Sequence, residues 1–98
     1  MAGKVWKVYK KHIGILVAQF PEIFNKTDPK ILKVGIHRDL IQATGLSGIT
    51  IRRLLCCWTS RAEYRQVGAR GGCRVDLFGN SVEAISEEHL KRFQDSVK

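Results

Sequence analysis

Acidic residues are scarce in this chain. Nine Asp and Glu stand against 17 Lys and Arg, leaving a net charge of +8. Such an imbalance disfavours cationic partners and favours polyanions, nucleic acid first and an anionic membrane surface second. Long apolar runs are missing as well. The uncharged stretch behind the N-terminal lysines, His12 to Pro21, falls far short of the roughly 20 residues a membrane-spanning helix needs. It leads into Glu22 without a small-residue cleavage pattern, so neither an anchor nor a secretory signal is expected. Cysteine is limited to Cys56, Cys57 and Cys73, an odd set with no CxxC pair and no His/Cys metal spacing. A disulfide framework and a metal site are therefore not expected. Reduced, partly buried thiols and a cytoplasmic protein are. Catalytic signatures are also absent: there is no HExxH, no GxSxG and no Walker lysine behind the glycines. His12, His37 and His89 are scattered, and an enzyme or a cofactor is not expected.

What is present is ordinary globular composition, 44% hydrophobic and 27% charged. At 98 residues it is enough for a single domain over 1–98 with one modest core. The charge is uneven. Residues 1–74 hold 14 basic and 4 acidic side chains, whereas residues 75–98 hold 3 and 5. The densest stretch is Ile51 to Asp76, with Arg52, Arg53, Arg61, Arg65, Arg70 and Arg74 interleaved with Trp58 and Tyr64. Guanidinium forks suit phosphate, and aromatic faces suit bases. Tyr64 is open to two readings, a core ring whose hydroxyl needs one partner, or a ring that stacks on a base.

Apolar spacing predicts a helix from Lys4 to Phe20, with Val5, Val8/Tyr9, Ile13, Leu16/Val17 and Phe20 on one stripe. Pro21 stops it. Ile23 and Phe24 form a short inward turn, Asn25 to Lys30 a loop, and Ile31 to Val34 a short extended segment. A second helix carries Ile36, Leu40 and Ile41 and closes at Gly45. Ser47 is an N-cap for the next helix, whose inward stripe is Ile49 or Ile51, Leu54, Leu55 and Trp58. A short helix carries Tyr64, and Gly68 to Gly72 reads as a loop. Two alternating arms, Cys73 to Phe78 and Ser81 to Ile85, predict a hairpin turning at Gly79-Asn80. Ser86 caps a last helix running to Val97, with Leu90, Phe93 and Val97 inward. The fold class is α/β, mostly helical with a small β-hairpin.

Several of these runs stand in a recognisable order: Lys33-Val34-Gly35-Ile36-His37-Arg38-Asp39-Leu40, then Ile51-Arg52, Trp58-Thr59-Ser60, Tyr64, Gly68-Ala69 and Arg74-Val75-Asp76-Leu77. With Phe20-Pro21 and Phe24 upstream, residues 15–85 resemble the ProQ/FinO domain of bacterial RNA chaperones. The resemblance implies a non-enzymatic domain that binds structured small RNAs and the 3′ regions of messages for post-transcriptional regulation. It implies recognition of a terminator-like hairpin with a single-stranded 3′ uridine tail. Carried over by position, Lys33, Arg52, Tyr64 and Arg74 match the pocket for the 3′ end. Ser47, Gly48 and Thr50, at a helix start, match the contact with the stem backbone. Arg53 and Arg61 then add charge along the stem. Cys56 and Glu63 stand where relatives are often basic, which implies a weaker hold. Two other readings fit the residues, a helix-turn-helix DNA-binding module over Ile36–Thr44 and Ser47–Trp58, and a protein-interaction domain with a basic face. RNA identity and oligomeric state are left open.

Overall fold

A computed structural model describes residues 3–97, with five helices and one two-stranded sheet among them. Helix α1 spans Gly3–Gln19, α2 Ile36–Thr44, α3 Gly48–Thr59, α4 Ala62–Ala69 and α5 Glu87–Ser96. Strands β1, Cys73–Val75, and β2, Ser81–Ala84, pair antiparallel with an irregular register between Arg74 and Val75. The predicted stripe of α1 is buried at Tyr9, Ile13 and Leu16. The side chains of Lys4, Val5, Trp6 and Val8 lie outside the described residues.

The core forms around α3, onto which α1, α2 and α4 pack. Its inward stripe is Ile51, Leu54 and Trp58, all fully buried. Ile49 is 64% exposed, so Ile51 and not Ile49 starts the stripe. The turn after Pro21 delivers Ile23 and Phe24 fully into this core. Phe24 meets Trp58 edge to face at 5.2 Å, an arrangement that contributes roughly 0.5–1.5 kcal/mol beyond burial alone. Helix α3 starts where Ser47 Oγ accepts from the Thr50 N–H at 3.2 Å, and α5 starts the same way at Ser86 and His89.

Three sequence expectations are corrected. Gly68 and Ala69 belong to α4 and not to a loop. A Cβ at Gly68 would lie 2.5 Å from the Phe93 ring, so this glycine is where α5 seats on α4. We expect Gly68→Ala to cost roughly 1–3 kcal/mol of stability by overpacking, read as a lowered thermal midpoint. The hairpin turn is wider than Gly79-Asn80: strand pairing ends at Val75, and Asp76 accepts from the N–H groups of Phe78 and Asn80. That carboxylate competes with ladder bonding and so shortens the strand. Val97, expected inward, is 41% exposed, and α5 has no fully buried residue because it packs on α4 alone among the helices.

Of the cysteines, Cys57 is buried, while Cys56 and Cys73 are exposed free thiols. No helix among the described residues is long and apolar enough to cross a membrane.

Candidate nucleic-acid interface

The segment Ile31 to Lys33 runs beside β1 and extends the hairpin by one bridge, Leu32 to Val75, in parallel register. Val75 N–H donates to the Ile31 carbonyl at 2.8 Å, and Lys33 N–H donates to the Val75 carbonyl at 2.9 Å. Amide groups alternate in direction along an extended chain, so the N–H and C=O of Leu32 face away from β1. Left unmade there, these buried bonds would carry a desolvation cost. Two side chains satisfy them. The Leu32 N–H donates to the Tyr64 hydroxyl at 3.1 Å, and the Leu32 carbonyl accepts from Arg74 Nη1 at 2.8 Å. Residues 32, 64 and 74 are thereby locked together.

This knot forms the wall of a cavity of about 200 Å³. Lys33, Tyr64 and Arg74, the residues named from the resemblance, line it together with His37, Leu55 and Thr59. Tyr64 is only 3% exposed, which decides between its two readings: the ring is core. Its hydroxyl, having accepted from Leu32, still has a hydrogen to donate. Burial raises the phenol above its ordinary ionisation range, against the lowering influence of the Leu32 hydrogen bond and of Arg74. The group therefore stays a protonated donor.

Lys33 is held at the rim. Its Nζ lies 2.6 Å from Asp39 Oδ2, and this hydrogen bond raises its pKa, so the ammonium remains charged. A polyanion would have to share Lys33 with Asp39.

Arg52 does not line the cavity. It is exposed on α3, three and seven residues before Leu55 and Thr59, hence on the same helical face. Gly48 lies at the opposite end of α3, about 16 Å from Thr59 at 1.5 Å per residue. There Ser47 bonds Thr50 through both the N–H and the hydroxyl. The amides of Gly48 and Ile49, in the first turn, have no intrahelical acceptor, an arrangement suited to phosphate.

Arg53 is half-buried on α3. Arg61 lies in a different place from the cavity. Its guanidinium sits 4.9 Å over the Trp58 ring, donates to the Lys26 carbonyl at 3.2 Å and approaches Glu63 at 3.5 Å. Arg61 therefore ties the start of α4 to the loop after Phe24 as well as contributing charge.

Three contributors escaped the sequence. His37 and Thr59 line the cavity, and His89 Nδ1 lies 2.9 Å from Arg74 Nη2, steering the guanidinium from α5. For His37, its place four residues after Lys33 in the chain is the one signal that pointed there. For His89 no sequence signal existed, because its contact with Arg74 spans 15 residues.

The fold is a cationic helical domain, with a donor-lined cavity at one end of α3 and first-turn amides at the other, features suited to a polyanion. The ProQ/FINO family profile matches residues 7–98, and the chain belongs to that family. It is 36% identical over 94 residues to the RNA chaperone ProQ of Idiomarina loihiensis, covering 91% of this chain and 45% of that protein. It is 33% identical over 94 residues to the RNA chaperone ProQ of Aeromonas salmonicida, with the same coverage. The chain thus spans less than half the length of these curated relatives. Among solved structures, a FinO-like RNA chaperone from Neisseria meningitidis superposes with a TM-score of 0.82 at 27% identity, over 99% of this chain and 85% of that one. A ProQ homolog from Legionella pneumophila gives 0.70 at 28% identity, over 87% and 76%.

Proposed function

We propose that this chain is a non-enzymatic RNA-binding chaperone domain of the cytoplasm that seats the 3′ end of a single-stranded tail in the cavity of Lys33, Tyr64 and Arg74. The partner is a structured RNA, a small RNA or the 3′ region of a message, with a terminator-like hairpin before the tail. The observation that carries this reading is the convergence of the Tyr64 hydroxyl and the Arg74 guanidinium on the two amide groups of Leu32. It fixes two donors, beside a charged lysine, in the wall of a small cavity. Donors held this way need no ordering when a ribose hydroxyl or phosphate arrives.

The length of α3 sets the register. Backbone phosphates of the stem meet the amides near Gly48, with Ser47 and Thr50 at the same end. Arg52 lies between, and the tail reaches the cavity beside Thr59. A-form RNA hides its major-groove base edges, so shape, phosphates and the unpaired end are what remain to be read. Three of these four relatives are named RNA chaperones, which supports the same partner class.

The direct test is the affinity of one terminator hairpin with its tail intact, trimmed away, or intact and 3′-phosphorylated. Asp39, already paired with Lys33 at 2.6 Å, competes with an added phosphate dianion for that ammonium. We expect the trimmed and phosphorylated forms each to bind about tenfold more weakly, a difference of about 1.4 kcal/mol. Equal affinity for all three would overturn the reading. Tighter binding of a defined DNA duplex would instead favour the helix-turn-helix alternative.

A further inference from the structure

Arg74 lines a second cavity, of about 290 Å³, between α4 and α5. Its other lining residues are Arg65, His89, Arg92, Phe93 and Ser96. Three guanidinium groups and an imidazole thus converge on an apolar ring, and among the described residues no carboxylate lines the space. Glu88 reaches Arg92 at 2.8 Å, but that pair is exposed, at 71% and 73%, and an exposed pair contributes little. Arg65 donates through Nη1 to the Ser96 carbonyl at 3.1 Å, while its Nε is buried without a partner among the described residues. A buried, unanswered guanidinium N–H is costly unless an acceptor completes it.

We propose that this cleft is a second RNA subsite, which takes the nucleotide preceding the terminal one. This rests on the reading of the Tyr64 cavity as the seat of the 3′ end. Arg74 lines both spaces and spends two of its five N–H donors on Leu32 and His89. The remaining donors stand where the phosphate linking the two nucleotides crosses from one cavity to the other. Arg65 and Arg92 pair with the next phosphate as planar forks, and Phe93 supplies the wall against which a base packs. Phe93 is itself braced, seated on Gly68 and tilted 57° to the Tyr64 ring at 6.0 Å. The two cavities are therefore joined through Tyr64 and Phe93 as well as through Arg74.

The test is a series of one hairpin bearing zero to four tail uridines, all with a free 3′ hydroxyl, measured by fluorescence anisotropy. The parent protein should gain affinity in two steps, the second of about tenfold when the tail becomes long enough to enter the cleft. Arg92→Gln and Arg65→Gln should each shrink that second step to under threefold. Discrimination between a 3′ hydroxyl and a 3′ phosphate should stay as in the parent. Arg92→Gln carries the test alone if Arg65→Gln is poorly folded, because the Arg92 side chain is 71% exposed. A second step that survives Arg92→Gln, or a uniform weakening of every tail length, overturns the proposal. So does binding of an acidic peptide that Arg92→Gln abolishes in a protein lacking the second step. Loss of 3′-end discrimination in the parent, with the second step intact and sensitive to Arg92→Gln, would sink the Tyr64-cavity reading and leave the cleft as an RNA site.

Discussion

Replacing Arg74 with alanine should weaken binding of the tailed hairpin by on the order of 1–3 kcal/mol, roughly 5- to 150-fold. Arg74 is anchored at both of its terminal nitrogens, to the Leu32 carbonyl and to His89, and so it meets RNA already oriented. Truncation removes that fork and also frees the Leu32 carbonyl from the cavity wall. Arg74→Lys separates charge from geometry. It keeps the cation but loses the fork, so it should recover only part of the lost affinity. Tyr64→Phe is the matching probe on the other amide of Leu32. It preserves the buried ring and deletes the hydroxyl, removing the donor to RNA and stranding the Leu32 N–H, at a stability cost of about 1–3 kcal/mol. Because both residues bond the backbone of the same residue, Leu32, the double variant should lose less than the sum of the two. Thermal unfolding and anisotropy together check this. Folded variants of both residues that bind like the parent would remove the cavity from the mechanism.

Raising salt from 50 to 200 mM should lower the affinity for tailed RNA by roughly 20- to 130-fold. This follows from about three to five phosphate contacts and the shallower counterion slope of single strands. The cations available at the proposed interface are Lys33, Arg52 and Arg74, with Arg53 and Arg61 as further sources of charge. Arg52→Ala should reduce the slope of log affinity against log salt by about one contact. It should leave discrimination between a free and a blocked 3′ end unchanged, because Arg52 is exposed and outside the cavity. Lys33→Ala should reduce the slope by less than Arg52→Ala, since Asp39 already neutralises the ammonium at 2.6 Å. An affinity independent of salt would contradict a mechanism built on phosphate contacts.

Most of the fold was legible in the chain because its signals are local. The caps at Ser47 and Ser86, the glycine after α2, the stop at Pro21 and the helical stripes each depend on residues within a turn or two. The failures have local competitors that pattern alone does not rank. Asp76 widens the hairpin turn by bonding two backbone N–H groups, and Gly68 stays helical because a ring from α5 occupies the space of its missing Cβ. At the candidate site, Lys33, Tyr64 and Arg74 were named from their place in a resemblance. The chemistry of their meeting was not readable, and Thr59 and His89 had no signature of their own.

By itself, the sequence determined a cationic, mostly helical chain whose arginines crowd one stretch and whose helices begin and end where they do. Propensity, capping and charge are properties of neighbouring residues, so a linear reading captures them. Only the tertiary structure decided how those arginines divide. Arg61 is drawn over Trp58, Arg52 stays on the open face of α3, and Arg74 turns in to the Leu32 carbonyl. The reason is the need to satisfy a buried edge. Once Leu32 lies beside β1, its outward amide groups must find partners, and the fold brings a tyrosine 32 residues away and an arginine 42 residues away to meet them.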